Sequence, residues 1–503
     1  MAPSCTARLD MKYPARRNVL LVGDLPIQDR PFAFRNLNLI NVKCQDVSIG
    51  ANEACGVIIA ETAKKIGVIR QHIEELRPIS SQYGLSLITV AETDSHLLPL
   101  KNLLDELKLG DDRLYSQGGI ENAAEFLNHY DPGPPVGDPK IIKEGPKLSL
   151  PIKHFLQRAF SDCDRIYIEP LGGGRVAAGV YCVHAWLKRS IIGPRPLPFF
   201  IKIDKSDRIS KELQNYEYYA DFYIPFYLRP NIDKGRCINS EKMSALVGNF
   251  VEDSRPLRSV LQSNQGNGTL FSLFEHSLKG FRIQPANKLE KRTQKLFDFV
   301  KDRAWIDGLK SPVIKKAQKL GLKSSPKKIE DMLDKILQDD ITCITPCHGD
   351  LHAGNIMVRG KDAILIDFLN IEDGPISADP ATLEVSLVFG TEKDDSKSDW
   401  NQWKSFVDEI YKEPFFHRPP AAEKRPNRFS WLRKAIREIR HIPLGCDCTE
   451  KEASAVLVAY LLRFARLNNE MAKNKELKEL AFNRHAYALV VAERITKYLH
   501  KQI

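Results

Sequence analysis

The sequence predicts an α/β domain built on a parallel sheet, joined through a proline- and glycine-rich break to a second, longer region. Three observations predict it. Continuous apolar runs alternate with amphipathic stretches over the first 130 residues. The stretch Asp131-Pro-Gly-Pro-Pro-Val-Gly-Asp-Pro139 cannot continue a helix or a central strand, which sets a linker over 131–147. The chain of 503 residues exceeds the roughly 250–300 at which one hydrophobic core stops growing, so two or three domains are expected.

The elements of the first domain follow in order. Asn18-Val-Leu-Leu-Val-Gly23 reads as a strand, as do Leu37–Val42, Gly56–Ala60 and Leu85–Ala91. Ile66–Leu76, Pro99–Leu107 and Ile120–Leu127 have helical spacing. Strands that are apolar throughout belong to a sheet covered on both faces. This pattern resembles a flavodoxin-like domain of the response-regulator receiver type, and Gly110–Gln117 followed by a helix is similar to the last strand and helix of a receiver. The family carries an acidic pair after its first strand, a phospho-accepting Asp after its third and a Lys after its fifth. Here Asp24 stands behind Gly23, Ala60-Glu61 ends the third strand and Ser116-Gln117 occupy the place of the Lys. The expectation is a degenerate receiver-like domain over 1–130 that docks a protein partner or self-associates, not a phosphoryl acceptor.

Composition narrows the class. An apolar share of 43% with 27% charged residues is an ordinary globular balance and excludes wholesale disorder. The net charge of +10 is mild for this length and gives no specific nucleic-acid partner. It is also unevenly placed: residues 1–130 carry 14 basic and 16 acidic side chains, and the remainder 60 and 48. No run approaches the ~18 apolar residues of a membrane span, so no membrane association is expected. The first residues lack an apolar segment followed by a small-residue cleavage site, so no secretory signal is expected. Ten irregularly spaced cysteines read as reduced thiols, and the expected location is cytoplasmic.

The chemistry lies in Cys347-His-Gly-Asp-Leu-His-Ala-Gly-Asn-Ile-Met-Val358 and Ala363-Ile-Leu-Ile-Asp-Phe368. Asp350 precedes Asn355 by five residues across a glycine-containing turn, and Asp367 ends a strand-like run. Two carboxylates and an amide brought together by a hairpin suit a hard cation such as Mg²⁺, which takes oxygen ligands and keeps substrate phosphates in its shell. Phosphoryl transfer needs such a metal and also an acceptor for the proton of the incoming hydroxyl. An alternative set, His348, Asp350 and His352 as metal ligands on one strand face, leaves Asn355 and Asp367 without a role.

The order His348, Gly349, Asp350, His352, Asn355 and then Asp367 resembles the signature of the aminoglycoside phosphotransferase and choline kinase group, whose fold is that of protein kinases. The resemblance implies an α+β two-lobed domain, with an N-lobe over 148–253 and a largely helical C-lobe over 254–503. It implies Asp350 as the catalytic base, Asn355 and Asp367 as Mg²⁺ ligands, and ATP as the phosphoryl donor. It also implies Gly172, Gly173 and Gly174 in a phosphate-covering turn, with Lys202 on the next strand at the phosphates. Glu212, favoured over Glu217, is the implied partner of Lys202, and the adenine-binding hinge is implied at Asn249, Phe250 and Val251. Further on, Asp379-Pro-Ala-Thr-Leu-Glu384 is similar to a later segment of the group but places Leu-Glu where Asp-Leu often lies. That variant resembles a branch found in bacterial signalling and conflict systems and departs from the antibiotic-kinase pattern.

The expected function is therefore ATP- and Mg²⁺-dependent transfer of the γ-phosphoryl group to a hydroxyl acceptor, a small molecule or a protein, in a signalling or conflict-type system. The other reading of the same residues is a nucleotide-binding pseudokinase that scaffolds a signalling complex.

Overall fold

The computed structural model describes residues 18–23, 37–60, 66–91, 94–107, 113–116, 119–143, 148–171, 179–189, 193–283, 292–391, 395–413, 420, 428–444, 448–467 and 475–502. The chain divides into two compact units, Met1–Lys211 with Asn231–Phe250, and Glu212–Pro230 with Val251–Ile503.

The first unit opens with five strands, β1 Asn18–Gly23, β2 Asn38–Asn41, β3 Ala54–Ala60, β4 Ser86–Ala91 and β5 Leu114–Ser116. They form one sheet in the order β2-β1-β3-β4-β5, and every neighbouring pair is parallel. The period of two along each strand divides the core. Leu20, Val22, Val57 and Ile59 join Ile69, Ile73 and Leu76 of α1 (Ile66–Tyr83) and Leu100, Leu103 and Leu104 of α2 (Leu97–Glu106) on one face. Val19, Leu21, Ile58 and Ile88 join Ile120, Ala123, Ala124 and Leu127 of α3 (Ile120–His129) on the other. The apolar runs are thus buried from both sides, which is why they show no polar alternation.

A second five-stranded sheet in the same unit has the order β10-β9-β8-β7-β6. It comprises β6 Lys140–Lys143, β7 Cys163–Pro170, β8 Gly179–Leu187, β9 Phe199–Lys205 and β10 Met243–Asn249, with α4 Leu150–Ala159 between β6 and β7. All pairs are antiparallel except β6–β7. Part of the segment read as linker, residues 140–143, is therefore an edge strand. The Pro/Gly stretch before it is held in place by Arg158 of α4, 1% exposed, which donates to the carbonyls of Pro132 (2.6 Å) and Pro134 (3.0 Å). Asn239 Nδ2 donates to the Asp131 carbonyl at 2.7 Å, and Gly133 at φ +88° lies so close to Cys237 that a Cβ would meet its carbonyl at 2.1 Å. Prolines that cannot join a ladder still offer carbonyls, and these are what the buried guanidinium binds.

The second unit contains two three-stranded sheets. One is β11-β14-β15, from Arg255–Pro256, Ile356–Arg359 and Asp362–Leu365; the other is β12-β13-β16, from Thr293–Lys295, Ile341–Cys347 and Glu372–Pro375. The helices that matter for the site are α5 Ser206–Asn215, α6 Leu296–Ala304, α7 Pro326–Leu337, α8 Ala378–Phe389, α9 Ser430–Leu444, α10 Glu450–Arg466 and α11 Lys475–His500. The first of these, α5, follows β9 and ends in the second unit. In α7, Ser325 caps the start by accepting the Lys328 N–H, and Ile329, Met332, Leu333, Ile336 and Leu337 are all buried, as the periodicity predicts. Thr449 caps α10 through the Glu452 N–H. Among the described residues no helix is long and apolar enough to cross a membrane.

Helix α8 is buried at every position but Ser386. Its Glu384 explains the unusual Leu-Glu of the sequence motif. The carboxylate accepts from Arg440 of α9 at Nε (3.0 Å) and Nη2 (2.6 Å) and from the Tyr411 hydroxyl (2.9 Å), with both ions 4% exposed at the side chain. Removing one partner of a desolvated pair leaves an uncompensated charge, costing about 3–5 kcal/mol. Glu384→Ala is accordingly expected to lower the urea midpoint of the second unit by an amount equivalent to about 3–5 kcal/mol. A loss below about 1 kcal/mol, the value of an exposed pair, would show that the pair does not hold α8.

Candidate active site

Strand β13 delivers His348 to the end of a sheet, where Cys347 pairs with Glu372 of β16. The backbone then turns at Gly349 with φ +74°. The turn is held from below by Asp379 in the first turn of α8: its Oδ2 accepts the His348 N–H at 2.8 Å and its Oδ1 the Gly349 N–H at 3.2 Å. The His348 ring, fully buried, is 3.1 Å through Nε2 from the Ile366 carbonyl, one residue before Asp367. Burial pushes the Asp379 carboxyl up, against the His348 ring and the two N–H donors, which favour the charged form.

Asp350 and Asn355 are brought together by this turn. The Asp350 carbonyl accepts from the His352 N–H (2.7 Å) and from Asn355 Nδ2 (3.0 Å). Spending its NH₂ on that carbonyl directs the Asn355 Oδ1 away, as an acceptor for a cation. The Asn355 carbonyl in turn accepts the Ile366 N–H at 3.0 Å, which fixes the segment that carries Asp367. Asp367 itself lies at φ +65°, in the left-handed region that Asp and Asn tolerate best among non-glycine residues. Beyond it, Asn215 at the end of α5 donates through Nδ2 to the carbonyls of Phe368 (2.9 Å) and Leu369 (3.0 Å), and Tyr216 meets Phe368 edge-on at 5.8 Å.

One further side chain reaches Asp350. Arg463 of α10 donates through Nη1 to the Gly349 carbonyl (3.0 Å) and through Nη2 to Asp350 Oδ1 (3.2 Å). The Asp350 carboxylate is half-buried and has His352 Nε2 at 3.9 Å from its other oxygen.

The donor set fits Mg²⁺. Asn355 would offer an amide oxygen and Asp367 a carboxylate, and Mg²⁺ is ordinarily held by one or two carboxylates with water and substrate phosphates completing its shell. Among the described residues no group of three or more His, Cys, Asp or Glu is placed to hold a metal. A phosphate-sharing Mg²⁺ does not require one.

The other sequence-predicted residues fall as follows. Gly172, Gly173 and Gly174 lie outside the described residues. Lys202 is on β9 between β8 and β10, paired in register with Val180 and Leu246, and is 7% exposed. Glu212 is buried on α5, whereas Glu217 is exposed. At the proposed hinge the Asn249 N–H donates to the Asn231 carbonyl and the Phe250 N–H to the Pro198 carbonyl, both at 2.9 Å, so neither is available to a base. The Val251 carbonyl accepts from the Ser254 hydroxyl.

The sequence reading missed three contributors. Asp379 was noted only as part of a motif, and its clamp on His348 and Gly349 spans thirty residues. Asn215 carried no signal, since a polar residue at a helix end is ordinary. Arg463 did carry one: it continues the inward face of α10 after Val456 and Tyr460, where a charge has to find a partner.

Comparison with known proteins gives partial matches. The family described as ternary complex associated domain 9 matches residues 313–489. No curated protein matches. Among solved structures, a thermostable mutant of aminoglycoside phosphotransferase APH(4)-Ia in ternary complex with ADP and hygromycin B is 12% identical, with 66% of this chain and 93% of that one covered at a TM-score of 0.38. Choline kinase from Cryptosporidium parvum is 13% identical, with 67% and 90% covered at a TM-score of 0.34. A glucosamine kinase is 10% identical, with 70% and 85% covered at a TM-score of 0.33.

Two outcomes follow from the turn. A Cβ at residue 349 would lie 1.9 Å from the Asn370 carbonyl at a φ that L-residues avoid, so Gly349→Ala is expected to displace the turn and abolish any activity that depends on Asp350. Full activity in that variant would show that the turn is not required. Asp379 titrates higher in the folded chain than its ordinary 3.8, so the folded state binds more protons just above that pH. The stability contribution of Asp379 is therefore greatest below its unfolded pKa and declines as pH rises through the elevated folded value. In Asp379→Asn, unfolding free energy measured across this window is expected to lose that decline; an unchanged slope would contradict the assignment.

Proposed function

We propose that this chain is an ATP- and Mg²⁺-dependent phosphotransferase of protein-kinase-like fold that moves the γ-phosphoryl group of ATP to a hydroxyl acceptor. The observation that carries the reading is the turn in which Asn355 Nδ2 donates to the Asp350 backbone carbonyl at 3.0 Å, tied through the Asn355 carbonyl to the segment bearing Asp367. Asp350 accepts the proton of the attacking hydroxyl. Asn355 Oδ1 and the Asp367 carboxylate would hold Mg²⁺, which when bound neutralises charge on the phosphate oxygens. Lys202 serves the nucleotide phosphates, with Glu212 as its counter-charge, since a buried ammonium requires one. Gly172, Gly173 and Gly174 cover the phosphates, and the hinge of Asn249, Phe250 and Val251 reads adenine through groups other than the two N–H donors already engaged.

In this reading residues 1–130 form a receiver-like, flavodoxin-like domain, followed by a linker over 131–147, an N-lobe over 148–253 and a C-lobe over 254–503. The all-parallel order β2-β1-β3-β4-β5 supports the first assignment. The domain serves docking to a protein partner or self-association in a cytoplasmic signalling or conflict-type system.

The test is ADP release from Mg²⁺–ATP together with thermal stabilisation by the nucleotide. Asp350→Ala is expected to keep the ATP-induced stabilisation and to lose about 10²–10⁴-fold in turnover, the usual contribution of a general base. Asp367→Ala is expected to lose the Mg²⁺ dependence of both. ATP binding without metal-dependent turnover in the wild type would favour a pseudokinase scaffold, and absence of any stabilisation by Mg²⁺–ATP would remove both readings.

A further inference from the structure

Beside α10, on the Asp350 side, three arginines meet two carboxylates among the described residues. Arg463 is engaged by Asp350 and Gly349. Arg303 of α6 is paired with Glu372. Both guanidiniums stack on the buried ring of Tyr460, at 5.7 and 5.8 Å from its centroid. Arg466, three residues after Arg463 on the same helix face, has no carboxylate of its own among the described residues; its guanidinium lies 4.4 Å from the centroid of the Trp305 ring. Burial lowers its pKa, and the neighbouring Arg463 and Arg303 lower it further.

This arginine is positioned and not merely solvated. Trp305 is a non-glycine residue at φ +36° and remains 58% exposed, so the backbone holds an indole at the surface in a conformation it does not favour. Gly308 passes so close beneath the arginine stem that a Cβ there would meet Arg466 Cδ at 2.5 Å. A cation kept partly desolvated beside two like charges, on an aromatic platform, is what an anionic ligand stabilises. Residues three apart on a helix have Cβ atoms about 5–6 Å apart, so Arg466 neighbours Arg463, the side chain that binds Asp350.

We infer that Arg466, with Arg463 beside it, forms an anion subsite, and that the hydroxyl acceptor of this chain carries a phosphate or carboxylate group. The inference rests on the phosphotransferase reading for the word acceptor, and on the arginine geometry alone for the anion.

The test uses the full chain with Mg²⁺ and a non-hydrolysable ATP analogue, and follows Trp305 emission, assigned by difference against Trp305→Phe. Glycerol 3-phosphate, glycerate, glycerol and choline are titrated in turn. The two anions are expected to give a saturable change, with glycerol 3-phosphate against glycerate separating phosphate from carboxylate, and glycerol and choline to give none. Arg466→Gln is expected to weaken anion binding by about tenfold or more, the value of a lost charge-assisted hydrogen bond, and Arg466→Lys to restore most of it. An anion titration that leaves Trp305 unchanged, an equal response to choline or glycerol, or an unaltered affinity in Arg466→Gln would overturn the inference. Thermal stabilisation by Mg²⁺–ATP is measured on the same protein: its absence would remove the phosphotransferase reading, while the Trp305 titration would still decide whether anions bind.

Discussion

One carboxylate organises the candidate site. Asp379, buried in the first turn of α8, spends its two oxygens on the adjacent N–H groups of His348 and Gly349. Neither N–H can be served by a strand partner, because β13 has ended and the chain is turning at positive φ. Hydrogen bonds from N–H to a charged acceptor contribute about 1.5–3 kcal/mol each, and leaving the donors buried without it costs a comparable amount. The cost on the other side is the desolvation of Asp379 itself, visible in its raised pKa. The turn and the acid therefore require each other, and α8 in turn needs the buried Glu384–Arg440 pair to stay where it is.

From that turn the constraints pass along the backbone in short steps. The Asp350 carbonyl takes the Asn355 amide, the Asn355 carbonyl takes the Ile366 N–H, and the His348 ring meets the Ile366 carbonyl. Asp367 is then left at φ +65° between two held neighbours, with Asn215 securing the carbonyls that follow. A left-handed aspartate costs of order 1–3 kcal/mol and persists only where its surroundings determine it, as they do here. The backbone at Asp350, Asn355 and Asp367 is thus held by hydrogen bonds, and Arg463 adds a side-chain contact to the Asp350 carboxylate.

Much of this was legible in the amino-acid order, and the limits are physical. Apolar runs without alternation identified the parallel sheet because both of its faces are covered. His348, Asp350, Asn355 and Asp367 were visible because the turn that unites them is local in sequence. The clamp from Asp379 and the brace from Asn215 were not, and Arg463 signalled only that it needed a partner, because each partner depends on where a distant element packs. Residues 140–143 were read as linker because the prolines before them suppress a strand signal, yet a short edge strand needs few residues and only one partner. Leu383-Glu384, read as a departure from a later segment of the group, supplies in Glu384 one half of a buried ion pair with Arg440. Gly172, Gly173 and Gly174, read as a phosphate-covering turn, lie outside the described residues.

In the proposed function Asn355 and Asp367 hold a divalent metal and Asp350 does not. Electron paramagnetic resonance of Mn²⁺ in place of Mg²⁺, with a non-hydrolysable ATP analogue, tests it most directly. The account predicts protein-bound Mn²⁺ in the wild type and in Asp350→Ala, and its loss in Asp367→Ala. Equal Mn²⁺ binding in wild type and Asp367→Ala, or loss in Asp350→Ala alone, would contradict it.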